Sequence, residues 1–151
     1  MCMLDRAGEF EIAKEGGEFV GWKVFELKDG KYLGPCADTI FRELQELSPN
    51  TWEEDAVDEL RLFFARDSDG MDGFYQTGFH CFAKEDDAVE FSRGRFGRMV
   101  EDSPHHYHFD YNDDGEYVVR KVLARDICAK GITCGGQEVF VARKIKIKEL
   151  M

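Results

Sequence analysis

Three side chains with metal-ligating chemistry recur at alternate positions in His106-Tyr107-His108-Phe109-Asp110. In an extended strand, residues two apart share a face at a spacing of about 7 Å, so His106, His108 and Asp110 make a candidate metal site of two imidazoles and a carboxylate. His105, the His80-Cys81 pair, Cys128 and Cys134 are further ligands that a fold could bring to it. No Cys-x-x-Cys pair and no His-Glu-x-x-His helix accompanies them, so the competing reading is a solvated polar strand face. Asp110-Tyr111-Asn112-Asp113-Asp114-Gly115 matches the first half of a calcium loop. Its twelfth position is Lys121, where a bidentate Glu is needed, and an acidic turn fits better. Asp67-Ser68-Asp69-Gly70 with Asp72 is a second acidic loop lacking a complete ligand set.

Nucleophilic chemistry has less to stand on. Neighbours in a strand point to opposite faces, so Cys81 and His80 cannot act together as thiol and base. No glycine-rich phosphate loop of either standard spacing is present. Arg93-Gly94-Arg95-Phe96-Gly97-Arg98 is short and basic, and it reads as a helix exit with a solvated turn. No catalytic or cofactor-binding set is assigned.

The elements that must position these groups are mostly strands. Gly8–Ala13 and Phe19–Phe25 alternate around the turn Glu15-Gly16-Gly17, which predicts an opening hairpin. Trp22, Val24 and Leu27 are expected on one side of it, with Lys23 on the other. Asp29-Gly30 marks a tight turn before Tyr32-Leu33, and Gly34-Pro35 closes the segment. Ile40, Phe41, Leu44 and Leu47 recur at helical spacing, and Thr51 is placed to cap a new turn holding Glu53, Glu54 and Asp55. Residues 57–65 fit a strand or a helix equally. Gly78–Phe82 reads as a buried strand and Asp86–Phe91 as a helix. His106–Tyr111 and Glu116–Leu123, joined by Asn112-Asp113-Asp114-Gly115, predict a second hairpin. Asp126–Ala129 and Glu138–Ile147 supply two more strands, and Lys144, Lys146 and Lys148 on one face suggest that the last is a sheet edge. The class is α+β: a single domain over 1–151, mostly antiparallel sheet with one to three short helices.

Composition bounds the partners. At 43% hydrophobic residues with 13 Phe, the chain is too apolar for an acidic disordered tail. Its unbroken apolar runs are too short to span a bilayer, and the first residues carry no signal-peptide pattern. Five cysteines, an odd number at irregular spacing, then read as reduced thiols of a cytoplasmic protein. The formal charge of −11 is uneven, with −16 over residues 1–119 and +5 over 120–151. Such a field repels nucleic acid and anionic lipid and favours cations or basic proteins. Glu53, Glu54, Asp55, Asp67, Asp69, Asp72, Asp86 and Asp87 are the candidate contact residues for a basic partner.

Trp22-Lys23-Val24-Phe25 with Asp29-Gly30-Lys31-Tyr32-Leu33-Gly34-Pro35, then Gly78-Phe79-His80-Cys81-Phe82 and Val141–Ile147, resemble blocks of small, mostly uncharacterised phage and prophage proteins. The resemblance covers about a fifth of the chain and implies a mobile-element origin. Together with the −16 over residues 1–119 and the lack of a catalytic set, it gives the expectation of a non-enzymatic, acidic protein that blocks a basic groove on a host nucleic-acid-processing protein, an anti-CRISPR or other anti-defence role included. Gly78–Ala88 is also similar to the strand-then-helix of ADP-ribosyltransferase-like folds. That likeness implies, as an alternative, an NAD cleft near His80 and Tyr75. A metal-binding structural protein built on His106, His108 and Asp110 is the third expectation.

Overall fold

The structure, a computed structural model, describes residues 10–33, 46–55, 62–66, 72–76, 78–93, 98–104, 106–110, 116–133 and 135–149. For 62–66, 72–76, 98–102 and 107–110 it describes the backbone alone. Along the chain run β1 (Lys14–Glu15), β2 (Glu18–Lys28), β3 (Lys31–Leu33), β4 (Trp52–Glu54), β5 (Leu62–Arg66), β6 (Asp72–Gln76) and β7 (Phe79–Phe82). Then come α1 (Glu85–Ser92), β8 (Arg98–Ser103), β9 (His106–Asp110), β10 (Glu116–Ile132) and β11 (Glu138–Ile147).

Two glycine turns build the first sheet edge. Gly16 and Gly17 take φ of 60° and 84° between β1 and β2, and Asp29-Gly30 take 52° and 76° between β2 and β3. Consecutive left-handed residues give the hairpin turn whose twist suits antiparallel strands. β2 then pairs along β10, from Glu116 opposite Leu27 to Ala124 opposite Phe19. β10 continues along β11, whose other edge carries β4 and β7. β7 also meets β2, at Trp22 opposite Phe82. The order β2–β10–β11–β7 thus closes on itself, and β1, β3 and β4 extend this seven-stranded antiparallel sheet.

A closed ring of four strands has an inside and an outside, and the residues sort accordingly. Phe25, Phe79, Cys81, Val122, Ala124, Phe140, Ala142, Ile145 and Ile147 form the inner cluster with Tyr32 and Leu47, and Leu27 packs against it. Val24, Phe82, Val139 and Val141 form the outer one beneath Ala88 of α1, flanked by Trp22 and Phe91. Leu27 therefore faces away from Trp22 and Val24, because strand alternation puts it with Phe25. A Cβ on Gly21 would come within 2.5 Å of the Phe140 ring, so a bare backbone at that position lets the large ring fill the centre.

The expected strand at Asp126–Ala129 is not a separate element. β10 runs straight through it, with Asp126 at φ 56° and a register shift between Ile127 and Ala129. The inward residues are Val118, Val122 and Ala124 before this point and Ile127 after it. A bulge of this kind bends one strand where the sequence suggests a turn. Nor is β11 an edge, since it is paired on both sides and Lys144 lies beside Asp126.

Two other expectations are corrected. β9 pairs with β8, not with β10, whose edges are taken by β2 and β11. Thr51 caps no helical turn: it leads into β4, and its hydroxyl donates to the Ser48 carbonyl. The ambiguous 57–65 resolves, where described, as strand β5 paired with β6. The expected helix near Ile40 lies outside the described residues, except that Leu47 bridges to Tyr32. Among the described residues α1 is the single helix, and no helix is long and apolar enough to cross a membrane.

Candidate interaction surface

The sheet places several of its described carboxylates beside cations. Lys121 donates to Glu15 across the β1–β2–β10 edge. Arg125 grips Glu18 with Nε at 2.9 and 3.0 Å and Nη2 at 2.5 Å, while its guanidinium lies 3.8 Å over the Trp52 ring. Lys144 stands 3.4 Å from Asp126. The Lys121 hydrogen bond holds the Glu15 carboxyl below its usual range, and Arg125 does the same for Glu18.

The expected contacts of β4 are drawn into this pairing. Asp55 is only 2% exposed, and its Oδ2 lies 3.8 Å from Arg143, so it is a buried partner of β11 and not an outward contact. Glu53 accepts from the Ser48 backbone N–H at 3.2 Å. Glu54 is exposed and sits opposite Lys144 in the β4–β11 register. Asp67 and Asp69 lie outside the described residues, and Asp72 is described as backbone on β6.

Helix α1 is different. Its first turn holds Glu85, Asp86 and Asp87, its last turn holds no basic residue, and Lys84 before it has an extended backbone and gives no side-chain cap. Carboxylates there satisfy the positive end of the helix, which is why such a short segment folds as one. Ala88 packs into the outer cluster and Phe91 tilts against Phe82 at 5.3 Å between centroids. That docking turns Glu85, Asp86 and Glu90 to solvent. Lys84 is drawn away to Glu138 on β11, at 2.9 Å. The Asp87 carboxyl is raised above its usual range, first by partial burial, with Glu90, Glu138 and Asp86 adding to it and Lys84 opposing.

Of the residues singled out from the sequence, Asp86 and Asp87 are thus brought together, while Glu53, Glu54 and Asp55 belong to a different region. Glu85, Glu90 and Glu138 were not singled out. The three- and four-residue spacing of Asp86, Asp87 and Glu90 on a helix is the signal that could have found Glu90. Glu138 arrives through a strand pairing that spacing does not reveal.

The histidine strand forms as β9, with His106 exposed, while the side chains of His108 and Asp110 are not described. No group of three or more His, Cys, Asp or Glu placed to hold a metal ion occurs among the described residues. Lys121, at the twelfth position of the calcium-like stretch, is engaged with Glu15. His80 is 8% exposed and Tyr75 is described as backbone on β6. Cys81 is fully buried, and burial pushes its thiol up to about 12, which leaves it no nucleophile. Comparison with protein families, curated proteins and solved structures finds no match.

Proposed function

We propose that the protein is a non-catalytic interaction protein that presents the acidic face of α1 to a basic surface of a partner. The observation that carries this reading is the gathering of Glu85, Asp86, Asp87 and Glu90 on one short helix, with Glu138 beside them. Lys84 is the cation that acts on Asp87 there. Like charges held together cost stability, and a cationic partner relieves that cost on binding. A groove that binds nucleic acid offers the complementary chemistry, since it is shaped for a row of negative charge. The resemblance of short sequence blocks to phage and prophage proteins favours a host nucleic-acid-processing protein, an anti-defence target included, as the owner of that groove.

Capture on immobilised protein from a bacterial lysate, with bound proteins identified by mass spectrometry, tests the reading. The expected result is a basic nucleic-acid-binding protein that is displaced by single-stranded DNA. Retention should fall about tenfold or more as salt is raised through the range where the screening length drops below about 10 Å. Recovery of no basic protein, or binding indifferent to salt, would defeat it.

A further inference from the structure

The ring is unevenly fastened. β2 and β10 are paired from one end of their overlap to the other, as are β10 and β11, and β7 is laced to β11 from Phe79 to Phe82. Between β2 and β7, among the described residues, the ladder holds the single pair Trp22–Phe82. A side chain supplements it: Lys23 Nζ donates to the His80 carbonyl at 2.9 Å, with its ammonium 5.8 Å from the Phe25 ring. Helix α1 packs on β2, β10 and β7, and so spans the same seam from outside.

The geometry points to the β2–β7 seam as a gate: β7 parts from β2 while remaining laced to β11, and Lys23 is a latch that keeps it shut. Three features carry this. The seam has the fewest backbone bonds of the four ring junctions, so it is the junction that opens at the lowest free energy. A side-chain tie across it runs from a charged donor, Lys23, to the His80 carbonyl, and such a bond is stronger than a neutral one. Opening it unpacks one side of the inner cluster, where Phe25, Phe140 and Cys81 are fully buried, and uncovers the apolar outer strip at Trp22 and Val24.

Cys81 serves as the reporter, because it sits on β7 and is fully buried when the ring is closed. Native protein is treated with iodoacetamide, and the peptide carrying Cys81 is quantified by mass spectrometry against the rate of global unfolding in urea. Labelling faster than global unfolding is expected. Lys23→Met should accelerate it by about tenfold, the effect of losing one hydrogen bond from a charged donor. Lys23→Arg, which can reach the same carbonyl, should restore slow labelling, and Lys31→Met, at the exposed pair with Ser48 by the β2–β3 turn, should leave it unchanged. Hydrogen exchange of the unsubstituted protein gives an independent reading, with amides of β7 and α1 opening before those of β10. If Cys81 reacts only at the global unfolding rate and β7 is as protected as β10, there is no gate.

Discussion

The centre of the sheet and the helix that leans on it handle charge in opposite ways. On β10 and β11, Lys121, Arg125, Arg143 and Lys144 each face a carboxylate supplied by another part of the chain. On α1, four acidic residues fall within the six positions Glu85–Glu90, and the nearby Lys84 is paired to a strand. Four of the eight cations of the +5 segment are thus taken up by carboxylates along the sheet, while Glu85, Asp86 and Glu90 of α1 stay exposed. Net charge alone does not locate an interaction surface; which carboxylates remain after the sheet has taken its partners does.

The largest way to break this contrast is within the sheet. Arg143→Met removes the guanidinium that faces the buried Asp55 and should lower unfolding stability by about 3 kcal/mol in urea titration. Asp55 would otherwise be an ordinary surface acid, and a change near zero would say so.

Next comes the helix. Asp86→Lys combined with Glu90→Lys should weaken capture of the basic partner by about tenfold or more in a binding titration, with the fold intact. Glu18→Lys, which removes the carboxylate that Arg125 grips, should do the reverse: it loosens the β2–β10 edge and leaves capture nearly unchanged.

The smallest effect is in pH dependence, where the two regions differ in sign. Glu15 and Glu18 have folded values below the ordinary 4.5, so the stability they contribute is present above that value and is lost as pH falls through the folded one. Asp87 has a folded value above the ordinary 3.8, so its contribution is greatest below that value and declines as pH rises through the folded one. Carboxyl carbon NMR titration should place Glu15 and Glu18 below 4.5 and Asp87 above 3.8. The opposite ordering would erase the contrast.

What the sequence made legible is local. The Gly16-Gly17 and Asp29-Gly30 turns, the buried strand at Phe79–Phe82 and the helix from Glu85 follow from turn chemistry and periodicity, which act over a few residues. The pairing of β9 with β8 was not legible, because partner choice in a sheet is decided by what covers each face and edge. Asp126 misled for a related reason: an aspartate at positive φ looks the same in sequence whether it ends a strand or bends one. On the candidate surface, Asp86 and Asp87 were readable as helical acids. The removal of Asp55 to the interior depended on Arg143, far along the chain.

The long strand β10 also sets the order in which this molecule can come into being. Its partners on β2 lie about ninety to a hundred positions earlier, so the central ladder is made of distant contacts that form slowly. During synthesis, the middle of β2 must wait for its strand partner until β10 has left the ribosome, and the waiting chain is the one carrying most of the negative charge. Mutual repulsion among those nascent chains keeps them apart during that interval, and it eases as β10 and β11 bring the formal charge from −16 to −11.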